Sequence, residues 1–209
     1  TAAGLADVNV PFSITDDDQQ TVLATPNSFS LNEGQQRQVN IQLEYQPSAP
    51  VTVTLTSNNS SATVSPNTIS FNPTNFATPI AVTVSGINDD NTIDEAVIIA
   101  AQTPGSQTTN ILVNVIDDDT QSIIVNNNQV TVVEGSSGSL LVSLSQEPDT
   151  NFTVTVNNTN TNLFSTSPGT VVFTPANYAV PQTITINALQ DNNAVDESGV
   201  FTLENQAAT

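Results

Sequence analysis

Apolar and polar residues alternate along most of this chain in short runs. Val51-Thr52-Val53-Thr54-Leu55 and Thr183-Ile184-Thr185-Ile186 each give an extended backbone one apolar and one polar face. Pro, Asn or Gly interrupts the runs about every 8–12 residues. The pattern predicts strands over Val39–Leu43, Val51–Leu55, a run ending at Phe71, Ala81–Val84 and Asn110–Ile116. It predicts a second series over Leu141–Leu144, Phe152–Val156, a run ending at Phe173, and Thr183–Ile186. Apolar spacing of three and four is nowhere sustained, so little or no helix is expected. The fold class that follows is all-β, with two antiparallel sandwiches of about seven strands each. Phe71 and Phe173 end strands on the apolar phase and are expected in the core. Tyr45, Asn75-Phe76 and Asn177-Tyr178 read as turn and edge features.

The two series form an internal repeat. Asp16-Asp17-Asp18 and Asp117-Asp118-Asp119 each close an alternating run, and a Glu-Gly pair follows each fifteen residues on, at Glu33-Gly34 and Glu134-Gly135. Ser65-Pro66 recurs as Ser167-Pro168, Asn75-Phe76 as Asn177-Tyr178, and the loop Asn88–Glu95 as Gln190–Glu197. The offset is 101 residues at the Glu and 102 from Ser-Pro onward. Unit one owns a last strand, Asn110–Ile116. After Val200-Phe201-Thr202-Leu203 no such strand follows in unit two. A matching segment stands at the other end, through Val8, Val10, Phe12 and Ile14 to Asp16–Asp18. The expected division is 1–18, an orphan last strand plus acidic triplet; 19–119, a complete sandwich; and 120–209, a sandwich missing its last strand. Either the chain is one period of a tandem array, or its first strand fills the open sandwich of another copy in a head-to-tail filament.

Charge changes the picture. There are 20 acids, one base (Arg37) and no His, for a formal net charge of -19. Nucleic acid is excluded as a partner, because its binding needs Lys and Arg. No unbroken apolar run is long enough to span a bilayer, so membrane insertion is not expected. The acids are clustered: six lie in the triplets, two in the Glu-Gly pairs and seven in the two loops before the sixth strands. Such clustering is repulsive unless a cation neutralises it. With no Cys and no His, the donors are hard oxygens, which excludes thiolate and imidazole sites and points to Ca2+. No EF-hand loop is present, so the site has to be assembled from separate loops. Unit one would bring together Glu33, Asp89, Asp90, Asp94, Glu95, Asp117, Asp118 and Asp119, with Asn88 or Asn91 completing shells. Unit two offers Glu134, Asp191, Asp196 and Glu197, with Asn192 where unit one has Asp90. Its triplet would be Asp16, Asp17 and Asp18 of another copy.

Taken as a set, the Glu-Gly pair, the Phe…Pro…Val-Thr-Val run before an acidic loop ending Asp-Glu, and the closing Val-x-Val-x-Asp-Asp-Asp resemble the Calx-beta repeat. That resemblance covers both units. It implies an immunoglobulin-like sandwich with calcium sites at one pole, on the positions matching Glu33, Asp89, Asp90, Asp94, Glu95 and Asp117–Asp119. The family's further acid, after the third strand, has no counterpart; Asn58 and Asn59 lie there.

The function expected is an extracellular or cell-surface structural or adhesive repeat, rigidified by calcium at its junctions, with other copies of itself as partners. A calcium-dependent carbohydrate- or ligand-binding surface module is the alternative, with cell-surface or matrix glycans as partners. Catalysis is not expected. The chain has no Trp, no His, no Lys and two Tyr, and the acids sit where one repeat joins the next.

Overall fold

The computed structural model describes residue 4, residues 8–15 and residues 17–205. Among these there is no helix. β-branched residues dominate the alternating runs, and their stiff side chains favour extended backbone.

Unit one contains nine strands: β1 (Val22–Thr25), β2 (Ser28–Asn32), β3 (Gln36–Leu43), β4 (Val51–Ser57), β5 (Ala62–Ser65), β6 (Thr68–Phe71), β7 (Ile80–Gly86), β8 (Glu95–Gln102) and β9 (Thr109–Ile116). One sheet has the order β1-β3-β7-β5 and the other β2-β9-β8-β4-β6. The expected seven strands become nine partly because the first strand is split at Pro26 and Asn27, so that its halves join different sheets. β1 pairs antiparallel with β3, while β2 runs parallel to β9. β5 alternates as Ala62-Thr63-Val64-Ser65, but four residues are too few for the alternation to mark a strand in the sequence.

Unit two contains β10 (Ile123–Val125), β11 (Ser137–Leu144), β12 (Phe152–Asn158), β13 (Phe164–Ser167), β14 (Thr170–Phe173), β15 (Gln182–Ala188) and β16 (Phe201–Asn205). Its first sheet, β10-β11-β15-β13, matches that of unit one. Among the described residues its second has three strands, β14-β12-β16, against five. β16 takes the place of β8, and among the described residues nothing pairs with its outer side. The counterpart of β2, residues 129–133, is not a strand at all. In unit one β2 bonds only to β9, and among the described residues no counterpart of β9 lies beside this segment to give it a ladder.

The two units have separate cores. Unit one buries 19 apolar residues and unit two buries 10 among those described. Phe71 and Phe173 are both fully buried, each inside its own core, as the apolar phase predicts. Most of the shortfall falls along the β2, β8 and β9 edge. Ile99 and Ala101 are fully buried in unit one, whereas their counterparts Phe201 and Leu203 are only half-buried. Residues 8–15 form no strand, and Val8, Val10, Phe12 and Ile14 are all at least 78% exposed. The Asn turns behave as read from the sequence. Asn75 Oδ1 accepts from Asn72 N–H and Asn177 Oδ1 from Thr174 N–H, each at 2.6 Å.

Candidate metal centre

The end of β2, the loop between β7 and β8, and the end of β9 lie at one pole of unit one. The parallel pairing of β2 and β9 is what aligns two of the three: Glu33 N–H extends that ladder to Ile116 C=O at 3.0 Å. Glu33 then turns inward and Gly34 turns the chain. Gly34 has φ +65, and a Cβ there would stand 2.7 Å from Asn88 Oδ1. The Glu-Gly pair is therefore a buried carboxylate followed by the one residue that permits the turn against the acidic loop.

One carboxylate oxygen each from Glu33, Asp89 and Asp117 lie within 4.8 Å of one another. Glu33 is only 4% exposed. At that separation and an effective dielectric of about 20, each ionised pair repels by roughly 3–4 kcal/mol. The chain's one basic side chain is elsewhere, with Arg37 Cζ 4.9 Å over the Phe29 ring. The compensation available inside the cluster is partial. Asp89 N–H donates to Glu33 Oε2 at 3.3 Å, Asn91 N–H to Asp89 Oδ1 at 3.0 Å, and Asp119 N–H to Asp117 Oδ1 at 2.9 Å. Glu33 Oε1, Glu95 Oε2 and Asp117 Oδ2 are buried and accept no hydrogen bond. Three orphaned carboxylate oxygens at one pole are costly as they stand, and each keeps lone pairs that a cation could take up. An all-carboxylate donor set fits a hard divalent cation.

Burial is the first cause of raised pKa at Glu33, Glu95 and Asp117, and neighbouring acids push the same way. A carboxyl raised on folding binds its proton more tightly in the native than in the unfolded chain, so stability falls as pH rises through that interval. In chelator, the protein is therefore expected to gain stability on acidification from neutral pH toward the ordinary Glu value of 4.5. With cation bound the sign reverses, because the proton and the metal compete for the same oxygens. Melting scans from pH 7 to 5 with and without chelator read both slopes; parallel slopes would contradict the assignment.

The other predicted residues of unit one divide in two. Glu95 stands beside Asp89 and accepts from Asn91 Nδ2 at 3.4 Å. Asp118 is close enough to raise Glu33 and Asp117. Asp94 acts on the backbone, its Oδ1 accepting Asp117 N–H at 2.9 Å and so fixing the end of β9. Asp90 turns away from the cluster toward unit two. Its carbonyl accepts Glu147 N–H at 2.6 Å, and its side chain, after burial itself, helps raise Tyr178. Asp90 is a neighbour of Asp89 in sequence but is not among the carboxylates that meet at Glu33. The tight turn sends Asp89 and Asp90 to opposite sides. Glu147 and Tyr178 had no acid-cluster signal and were not foreseen as junction residues.

Unit two repeats the loop with the same local chemistry. Asn193 N–H donates to Asp191 Oδ1 and Val195 N–H to Asn193 Oδ1, as Asn91 and Ile93 do in unit one. Glu134, Asp191 and Glu197 bring oxygens within 4.8 Å of one another, with Asp196 outside the triad. This group is more open, Glu134 and Glu197 being exposed, and Gln190 Nε2 donates to Glu134 Oε2 at 2.8 Å. Gly135 repeats the turn of Gly34, with φ +70. Asp17 and Asp18 are exposed, and Asp18 acts with Glu44 to raise Tyr45. Asp16 lies outside the described residues.

No family model and no curated protein matches the chain. Among solved structures, the chain is similar to the CupB2 chaperone of Pseudomonas aeruginosa, at 8% identity over 89% of this chain and 100% of that one, TM-score 0.35. It is also similar to the class 5 fimbriae chaperone CfaA, at 10% identity over 88% and 99%, TM-score 0.35. A third is a protein of unknown function from Porphyromonas gingivalis W83, at 8% identity over 80% and 82%, TM-score 0.32. The class of protein that the sheets themselves define is a tandem pair of immunoglobulin-like β-sandwiches.

Proposed function

We propose that this protein is an extracellular structural repeat that binds calcium at the junctions between its sandwiches, in the manner of the Calx-beta repeats it resembles, and assembles head to tail. The observation that carries this reading is the buried, unpartnered Glu33 Oε1 facing Asp89 and Asp117. Calcium is favoured over magnesium because it accepts several carboxylates at once in irregular geometry, whereas magnesium keeps most of its waters. Glu33, Asp89 and Asp117 would hold the ion, with Glu95, beside Asp89 and Glu33, and Asp118, beside Glu33 and Asp117, adding to the negative charge around it. The ion would neutralise the cluster and tie three segments of unit one together.

The location of the site supports a mechanical role. Asp117–Asp119 both end β9 and lead into unit two, so an ion bound there stiffens the linker. The Asp90 contacts with Glu147 and Tyr178 hold the same junction from the other side. In unit two, Asp16–Asp18 of another copy would add to Glu134, Asp191, Asp196 and Glu197. No helix among the described residues is long and apolar enough to cross a membrane.

Isothermal titration of the chelator-stripped protein with calcium tests this directly. Saturable binding that Glu33→Gln or Asp117→Asn weakens by about tenfold or more, equivalent to at least ~1.4 kcal/mol, is expected. Magnesium binding equal to that of calcium, or no saturable heat, would refute it.

A further inference from the structure

Unit two carries an open apolar groove of about 950 Å³ between residues 129–133, β16 and the loop before it. Val130, Val132, Phe164, Phe201 and Leu203 line it. In unit one the equivalent space holds β9. We propose that this groove is the docking site for residues 8–15 of a second copy, in the register that β9 takes in unit one. The inference rests on the head-to-tail reading above and adds to it the occupant, its register and the residues that select it.

Three observations commit the groove to that segment. The first is phase. Aligned on the acidic triplets, Val10, Phe12 and Ile14 take the positions of Ile111, Val113 and Val115, all buried in unit one. Ser13 takes that of half-buried Asn114 and Pro11 that of exposed Leu112. Every inward position of the donor is apolar, and each is now exposed to water.

The second is size. In unit one, large Phe29 lies beside small Val113 in the parallel register of β2 and β9. In unit two, small Val130 would lie beside large Phe12. Leu31 beside Val115 becomes Val132 beside Ile14. Across the antiparallel pair, Ile99 opposite Ile111 becomes Phe201 opposite Val10. At these three pairs the groove and the donor differ from unit one in opposite senses, while Ala101 opposite Thr109 becomes Leu203 opposite Val8 without such an exchange. Close-packed cores demand such compensation, and a segment unrelated to the groove would not supply it.

The third is the state of residues 129–133. Their counterpart β2 bonds only to β9. A docked donor would give them the missing ladder and turn them into a strand, and it would cover the open side of β16. Pro11 explains how the exposed donor avoids indiscriminate pairing. It stands where Leu112 N–H donates to Asn27 C=O, so the docked donor forgoes one bond on that side. Free in solution, the same proline removes a donor that edge-to-edge aggregation would use.

The full chain has no cysteine, so an engineered pair reports register cleanly. Asn9 and Thr202 correspond to Asn110 and Ala100, which are partners between β8 and β9. Asn9→Cys with Thr202→Cys is expected to give a ladder of disulfide-linked oligomers under mild oxidation in calcium. The control pair Ser13→Cys with Thr202→Cys, four residues out of register, is expected to give none. Phe12→Val alone and Val130→Phe alone should each cut the ladder by about tenfold, for at least ~1.4 kcal/mol of lost fit, and the double variant should restore it. Restoration is the decisive readout, since a merely unfolded single variant would not be rescued. A disulfide confined to monomers would show the segment filling its own chain's groove, and equal ladders from both cysteine pairs would show non-specific contact; either overturns the proposal. Calcium titration of the same samples separates the readings. Saturable binding without a ladder removes the docked strand alone, and no binding removes the calcium reading.

Discussion

Withdrawing divalent cation is expected to lower the melting temperature of unit one by about 10–20 °C. That figure follows from about 2.7 kcal/mol of linkage at a ligand concentration a hundredfold above Kd, and from the size of the unit. The Glu33 variant makes the experiment specific. Glu33 is buried, its pKa is raised, and Oε1 has no donor. In chelator, Glu33→Gln removes a like charge from the Asp89 and Asp117 neighbourhood, so the variant should be more stable than the parent. In calcium it lacks a ligand oxygen charge, so it should be less stable. A substitution that changes sign with the cation is the mark of a metal ligand. A residue that only packs would show the same sign in both buffers. Calorimetry of the two proteins in both buffers decides between these outcomes.

The second large effect is expected at Phe173. Phe173→Ala and Phe71→Ala both remove a fully buried ring at the same place in the two sandwiches, at a cost of about 3–5 kcal/mol each. The consequences should differ. Unit one spreads the loss over a core of 19 buried apolar residues, and unit two has 10. Half-buried Phe201, stacked edge-on against Phe164 at 5.9 Å between ring centroids, already stands at an open side. Unit two of Phe173→Ala should therefore melt as a separate, earlier transition, while Phe71→Ala keeps both units folded at 25 °C. An added peptide with the sequence of residues 8–18 should raise the earlier transition by filling the groove. Equal shifts for the two variants, with no response to peptide, would mean that unit two is complete without a ninth strand.

How far these features were legible in the chain depends on the length of the signal. β4, β7 and β9, with β12 and β15, are alternating runs whose two faces meet different solvents, and the sequence places them to within a few residues, whereas β3 and β11 begin three and four residues before the alternation shows. β2 also alternates, as Ser28-Phe29-Ser30-Leu31-Asn32, but it follows a break at Pro26 and Asn27. Nothing local shows that the chain crosses there to the other sheet and turns parallel to β9. The acidic site was legible as a set of residues because its charge is clustered against the run of the composition. Its membership was not. Asp89 and Asp90 are chemically alike and adjacent, and only the turn that follows Gly86 directs one inward to Glu33 and the other across to Tyr178.

The sequence alone determined the alternation behind most of the strands, the 101-residue repeat, the clustering of the acids and the matching apolar phase of residues 8–15 and β9. These are properties of residue type and spacing, which do not change when the chain folds. The tertiary structure alone decided which carboxylates share a centre and which oxygens are left buried without a donor. It also decided that residues 129–133 form no strand where, among the described residues, no counterpart of β9 lies beside them. Those depend on distance between segments far apart in the chain, and hydrogen bonding and charge repulsion act through distance in space.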